Sequence, residues 1–234
     1  MKLTHLIPLR IRCLLRDQCL RFQFRMCARS LMSGAPVTKD LLAELIRTWG
    51  NEEWNADPPY LLAVCEAASR VNAPILECGS GLTTILLGIF AARRGVQVMS
   101  LEHSPEWERK LNEQLSGLGL PNRVTTAPLK SYGEFDWYSI PSTWPAGIGL
   151  VICDGPPYTT RGGRYGLLPV CSSNFASTCT ILLDDAERRE EQSILTTWKA
   201  RFPLAVTVHD NDAGTYATCK YTRAAELIAS SSAV

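Results

Sequence analysis

Residues 74–84 read Pro-Ile-Leu-Glu-Cys-Gly-Ser-Gly-Leu-Thr-Thr, and the parsing of that stretch decides the fold. Ile75 and Leu76 open a short buried strand over 74–78, with the acid Glu77 near its end. Gly79 and Gly81 flank Ser80 in a tight turn, and an apolar helix runs from Leu82 to Arg94. Strand, glycine turn and helix make the local geometry of a nucleotide-cofactor loop. Glycine removes the Cβ atoms that would block a ligand's approach. The first turn of the helix offers backbone N–H groups with no partner inside the helix.

Downstream of this turn, strands and helices alternate. Strands are expected over Val96–Leu101, Arg123–Ala127, Ile148–Cys153 and Thr180–Leu183. Ser104-Pro105-Glu106 reads as an N-cap with proline in the first turn, opening a helix to about Ser116. A helix begins near Leu168, and a charged one starts at Asp184 or Asp185 and reaches about Ala200. Leu204–His209 and Thr215–Tyr221 flank Asp210-Asn211-Asp212-Ala213-Gly214 as a hairpin. The pattern predicts an α/β fold: a Rossmann-like, mostly parallel, seven-stranded sheet with helices on both faces and a C-terminal antiparallel hairpin.

Upstream, Thr38 caps a helix to Trp49 that Gly50 stops, and a second helix runs from Tyr60 to about Arg70 after Pro58-Pro59. These helices are expected over one face of the sheet or over the cofactor site. The domain reading is a basic extension over 1–35, flexible or targeting, then N-terminal helices over 36–73, a core over 74–225 and a tail over 226–234.

Charge divides the chain unevenly. Residues 1–30 carry seven basic side chains and one acid, whereas the remainder has a net charge of −5. The mildly acidic body gives nucleic acid no basic field to bind. The Arg-rich, acid-poor start resembles a mitochondrial presequence; the alternative is a true start at Met26 or Met32. The expected location is cytoplasmic, or mitochondrial if 1–30 is a presequence. No apolar run reaches membrane-spanning length. Nine cysteines occur without a Cys-x-x-Cys pair, several in apolar strands, which favours buried free thiols over a disulfide framework.

Acids collect where a parallel sheet binds ligands, at the carboxyl ends of its strands. Glu77, Glu102-His103, Asp154 and Asp184-Asp185 all follow or end strands. Glu102 lies 21 residues beyond Gly81, a spacing suited to accepting hydrogen bonds from ribose hydroxyls.

Glu77-x-Gly79-x-Gly81, Glu102 at the second strand end and the terminal hairpin together resemble a class I S-adenosylmethionine-dependent methyltransferase, over about residues 58–222. The third glycine of that family's loop is Thr83 here, whose hydroxyl can face the ligand. The resemblance implies S-adenosylmethionine held by Glu77, Gly79, Ser80, Gly81, Thr83, Glu102 and His103. It further implies transfer to a small-molecule acceptor beside Asp154, acting as base or metal ligand. Asp154, Asp184 and Asp185 resemble the acidic triad of metal-dependent small-molecule O-methyltransferases, which implies Mg²⁺. The amide that follows the second strand-five ligand in that family is absent.

Tyr158, Arg161 and Arg164 belong to a glycine-rich loop after Asp154 that could bind an anionic or sugar-like acceptor; solvated loop arginines are the alternative. Trp137, Tyr138 and Trp144 are pocket or packing residues, Arg188-Arg189-Glu190-Glu191 reads as a solvated helix face, and His209 reads as structural. Two other classes stay open. One is a nicotinamide-dependent oxidoreductase, against which Thr84 and the hairpin argue. The other is a non-catalytic methyltransferase-like binding subunit.

Overall fold

The computed structural model describes residues 9–50, 56–211 and 214–223. The sequence reading of the tail over 226–234 and of Asp212-Ala213 in the hairpin turn lies outside these residues. Three helices come first: α1 (Leu9–Met32), α2 (Lys39–Trp49) and α3 (Pro58–Arg70). The Thr38 hydroxyl accepts from the Leu41 N–H at the start of α2, and Gly50 ends it in the left-handed region at φ +74°. The alternating core follows as β1 (Ile75–Cys78), α4 (Leu82–Arg94), β2 (Val98–Glu102), α5 (Pro105–Leu118) and β3 (Arg123–Thr126). A small antiparallel pair, β4 (Leu129–Ser131) and β5 (Asp136–Tyr138), precedes β6 (Ile148–Cys153). Then come α6 (Leu167–Cys171), β7 (Phe175–Leu183), α7 (Arg189–Arg201), β8 (Leu204–Asn211) and β9 (Gly214–Thr222).

Seven strands form one sheet in the order β3-β2-β1-β6-β7-β9-β8. The first five run parallel; β9 pairs antiparallel with β7, and β8 with β9. The expected Rossmann-like sheet with its terminal hairpin is therefore the observed one. Strand order reverses between β1 and β6, where the register sets Cys78 beside Cys153, and a crevice opens there.

The period-two alternation of strands divides the core in two. Ile75, Leu150, Ile152 and Leu182 face α1 to α5, whereas Leu76, Cys78, Val151, Cys153, Ile181 and Leu183 face α6, α7 and the β4–β5 pair. Cys19, Cys27, Cys65, Cys78, Cys153, Cys171, Cys179 and Cys219 are unpaired, and the last six are buried. No described helix is long and apolar enough to cross a membrane.

Several elements differ from the sequence reading. From Leu9 onward the basic start is helical, and Phe24, Ala28 and Leu31 of α1 are buried in the core, while Leu14, Leu15, Phe22 and Met26 stay exposed. The helices α2 and α3 lie over the sheet face, joined to it through α4 and through the Tyr60 hydroxyl, which donates to Leu182 O at 3.3 Å. Among the described residues near them only Ala56 reaches the crevice. β7 starts five residues earlier than expected, because its partly exposed Ala176–Thr178 stretch lacks the apolar run that marks Thr180–Leu183. The helix α7 begins at Arg189, so Asp184 and Asp185 do not cap it. They occupy a turn in which Asp185 adopts φ +56°.

Candidate active site

A cleft of about 520 Å³ opens at the carboxyl ends of β1, β2, β6 and β7. One end is lined by Gly79, Ser80, Gly81, Leu82, Thr83, Glu102, His103, Ser104 and Trp107; the other by Tyr138, Asp154, Gly155, Pro157, Tyr158, Arg164, Asp184, Asp185 and Arg188.

The glycine turn is fixed from below. Glu77 is fully buried and accepts from the hydroxyls of Thr83 at 2.6 Å and Thr84 at 2.8 Å. Thr84 in turn accepts from the Gly81 N–H at 2.9 Å. Burial pushes the Glu77 carboxyl up to about 7, against the opposing pull of hydrogen bonds from Ser100, Thr83 and Thr84. Glu77 lies under the loop and does not line the cleft, so it holds the loop in place and, contrary to expectation, does not face the cofactor end directly. Gly79 has φ +83°, and a Cβ there would stand 2.8 Å from the Gly155 nitrogen. The β1 and β6 turns thus meet backbone against backbone, which only a glycine at 79 allows.

Glu102 is the hub of the first end. Its Oε2 accepts from the Ser80 N–H at 3.2 Å and the Ser80 hydroxyl at 2.7 Å, and its Oε1 from the Ser104 N–H at 2.9 Å. His103 Nδ1 lies 2.9 Å from Oε1. Burial pushes its carboxyl up, but His103, the Ser104 N–H and Ser80 outweigh it and hold the group below the usual carboxylate range. The same contact raises His103. Trp107, in the first turn of α5, donates its indole N–H to Ser80 O at 2.8 Å and closes this end.

The second end is acidic. Asp154, Asp184 and Asp185 bring carboxylate oxygens within 4.8 Å of one another. Burial raises Asp154 to about 6, with Arg164 pulling it down and Asp185 pushing it up. Burial, Asp154 and Asp185 raise Asp184 well above the carboxylate range. Arg164, only 2% exposed, stands among them. Its guanidinium donates to Asp184 O at 2.5 Å, Asp154 Oδ1 at 3.1 Å, Asp154 O at 3.2 Å and Asp185 Oδ2 at 2.7 Å. Its Nε lies 3.7 Å from Glu191 Oε1, and Arg188 reaches the same Asp185 Oδ2 at 2.7 Å. As a metal cradle the three carboxylates have the right donor chemistry and spacing for a hard cation. Electrostatically, Arg164 already fills the cluster: a divalent ion about 4 Å from it would meet repulsion on the order of 8 kcal/mol at an effective dielectric of about 20.

No family model and no curated protein matches the sequence. Solved structures do match. Cofactor-bound Rv0187 from MTB superposes with a TM-score of 0.58 at 15% identity, over 81% of this chain and 92% of that one. An O-methyltransferase from Bacillus cereus in complex with SAH gives 0.54 at 12% identity, over 87% and 100%. A methyltransferase from Pyrococcus furiosus gives 0.51 at 13%, over 69% and 81%. The chain has the methyltransferase fold. At these identities the likeness is one of fold.

Within the methyltransferase fold, the expected Gly79, Ser80, Gly81, Thr83, Glu102, His103, Asp154, Tyr158, Arg164, Asp184 and Asp185 line one cleft. Arg161 does not. It is exposed and held outside by Asp136 at 2.5 Å, Gly133 O and the Ser131 hydroxyl. Arg164 is buried among acids, neither solvated nor free to meet an anionic acceptor. Trp137 is packed in the core, while the neighbouring Tyr138 lines the cleft with its hydroxyl buried and unpartnered among the described residues. His209 stacks on Tyr216, with centroids 4.6 Å apart, and bonds Thr218 on the hairpin. The Arg188–Glu191 run is a solvated face only in part: Arg189 and Glu190 are exposed, whereas Arg188 lines the cleft and Glu191 is fully buried. Of the other cleft residues, Tyr138 carries the pocket role that was one of its two expectations, Arg188 departs from its expected solvated face, and Trp107 and Gly155 had no assigned role. The position of Trp107, three residues past the capping Ser104 and just beyond Glu102, was the one usable signal among them.

Proposed function

We propose that this chain is an S-adenosylmethionine-dependent methyltransferase acting on a hydroxyl of a small molecule. The observation that carries the reading is the facing of Glu102, tied to the glycine turn through Ser80, and Asp154 across a single cleft. S-adenosylmethionine, when bound, supplies an electrophilic methyl on its sulfonium. Gly79 to Gly81 let backbone approach the ligand, and Glu102 accepts from ribose hydroxyls after giving up part of its hold on Ser80. Trp107 and His103 wall the same end.

At the other end Asp154 takes the proton from the acceptor hydroxyl. The oxygen's freed pair forms the new O–CH₃ bond, and the S–CH₃ pair stays on sulfur. A base titrating near 6 is ionised at neutral pH yet still basic enough to help. Tyr158 is half exposed at the mouth with Arg188 stacked 5.6 Å from its ring, and the two flank the acceptor's approach. Mg²⁺, which the sequence resemblance implies, would have Asp154, Asp184 and Asp185 as ligands; Arg164 contests that place.

Calorimetry with S-adenosylmethionine tests the reading. Glu102→Ala removes hydrogen bonds to a charged group and is expected to weaken binding about 10- to 100-fold. Absence of binding to the wild type, or equal binding by both proteins, overturns it.

A further inference from the structure

We propose that Arg164 is the built-in cation of the acidic cluster, taking the place among Asp154, Asp184 and Asp185 that a divalent metal would occupy, and orienting Asp154 toward the acceptor.

Arg164 belongs to a tight turn, Gly163–Gly166, that leads into α6. A Cβ at Gly166 would stand 2.7 Å from the Trp137 ring, so the turn packs tightly against the core, and its arginine points inward. Once inside, its fork spans two carboxylates and two carbonyls, a planar match that an ammonium or a spherical ion does not reproduce. Asp185 Oδ2 already takes donors from both Arg164 and Arg188. A hard cation needs about six oxygen ligands, and it would have to draw on the very oxygens these guanidiniums hold. Glu191, fully buried 3.7 Å from Arg164 Nε, balances the guanidinium from its far side, which would be pointless for a residue meant to leave.

Two consequences follow. Arg164 is a positioning residue: it holds one oxygen of Asp154 and leaves the other for the acceptor. Chelators leave turnover unchanged. The turnover consequence rests on the methyl-transfer reading, whereas occupancy of the cluster is measured without it.

The test is a Mn²⁺ titration of the full chain with S-adenosylhomocysteine present, reading free Mn²⁺ by electron paramagnetic resonance. The wild type is expected to leave the free-ion signal undiminished at millimolar metal. Arg164→Met deletes the charge at similar length and is expected to retain at least about tenfold more Mn²⁺ at the same metal concentration. Arg164→Lys, which restores the charge without the fork, should again leave the free-ion signal undiminished, an outcome that a merely structural role would not produce. Stoichiometric Mn²⁺ on the wild type that disappears in Asp185→Asn overturns the proposal. Mn²⁺ held equally by wild type, Asp154→Asn and Asp185→Asn lies outside the cluster and supports it. If Arg164→Met does not fold, the wild type and Asp185→Asn decide the matter between them. A protein that excludes Mn²⁺ and also fails to bind S-adenosylmethionine would reject the methyl-transfer reading while sustaining this one.

Discussion

Glu77 shows how one buried acid can shape a loop it never leaves. Its two oxygens tie the hydroxyls of Thr83 and Thr84, and so hold the first turn of α4 against the end of β1. The cost is an acid in a dry place that titrates at about 7, where 4.5 is its ordinary value. Folded protein therefore binds that proton more tightly than unfolded chain does. The stabilisation is whole below about pH 4.5 and is lost as pH rises through about 7, on the order of 3 kcal/mol. Glu77→Gln cannot ionise. Urea unfolding of both proteins from about pH 5 to about pH 8 should show the wild type losing stability with pH more steeply than the variant. Parallel curves would mean that Glu77 stays ionised throughout. The acid in the expected place was legible from sequence. Its duty was not, because a strand-end acid can face the ligand or the loop, and only the positions of Thr83 and Thr84 decide which.

At the scale of elements, α1 carries the largest departure from the sequence reading. Its composition resembles a targeting segment, since apolar residues are interspersed with arginines on every side. Its far half nonetheless supplies three side chains to the core, of which Ala28 and Leu31 are wholly buried. Arg93 of α4 donates to Leu31 O at 3.3 Å and fixes that end. Leu31→Ala is expected to cost about 2–5 kcal/mol in chemical denaturation, the range for a large buried side chain cut to alanine. A cost below about 1 kcal/mol would mean that α1 is an appendage to the fold. The same contrast holds for α7. The Arg188-Arg189-Glu190-Glu191 run at its start has the charge of a solvated face, yet Glu191 is buried 3.7 Å from Arg164, twenty-seven residues earlier.

Over the whole molecule, stability should grade outward from the middle of the sheet. β1 and β6 are covered on both faces and flanked by strands on both sides, whereas β8 is an edge strand with mostly exposed or half-buried residues. Hydrogen exchange should find the slowest amides in β1 and β6 and faster exchange along β8. Equal protection in β8 would point to a partner pairing with that edge. The cleft lies at the ends of β1 and β6, the strands expected to exchange most slowly, which suits the in-line alignment that the proposed methyl transfer needs.

What the sequence determined by itself was the architecture and the carboxyl-edge acids. Short apolar runs in the strands, glycine at 79 and 81, and the spacing to Glu102 are local properties, and local properties survive in a one-dimensional reading. Only the tertiary structure decided the electrostatics. Arg161 and Arg164 stand three residues apart in one glycine-rich loop and look alike in sequence, yet one is held in solvent by Asp136 and the other is buried against Asp154 and Asp185. The difference comes from the tight turn at 163–166 and from carboxylates that the ends of two neighbouring strands, β6 and β7, bring together. A charge's role depends on which opposite charges the fold brings beside it, and no spacing within a loop contains that information.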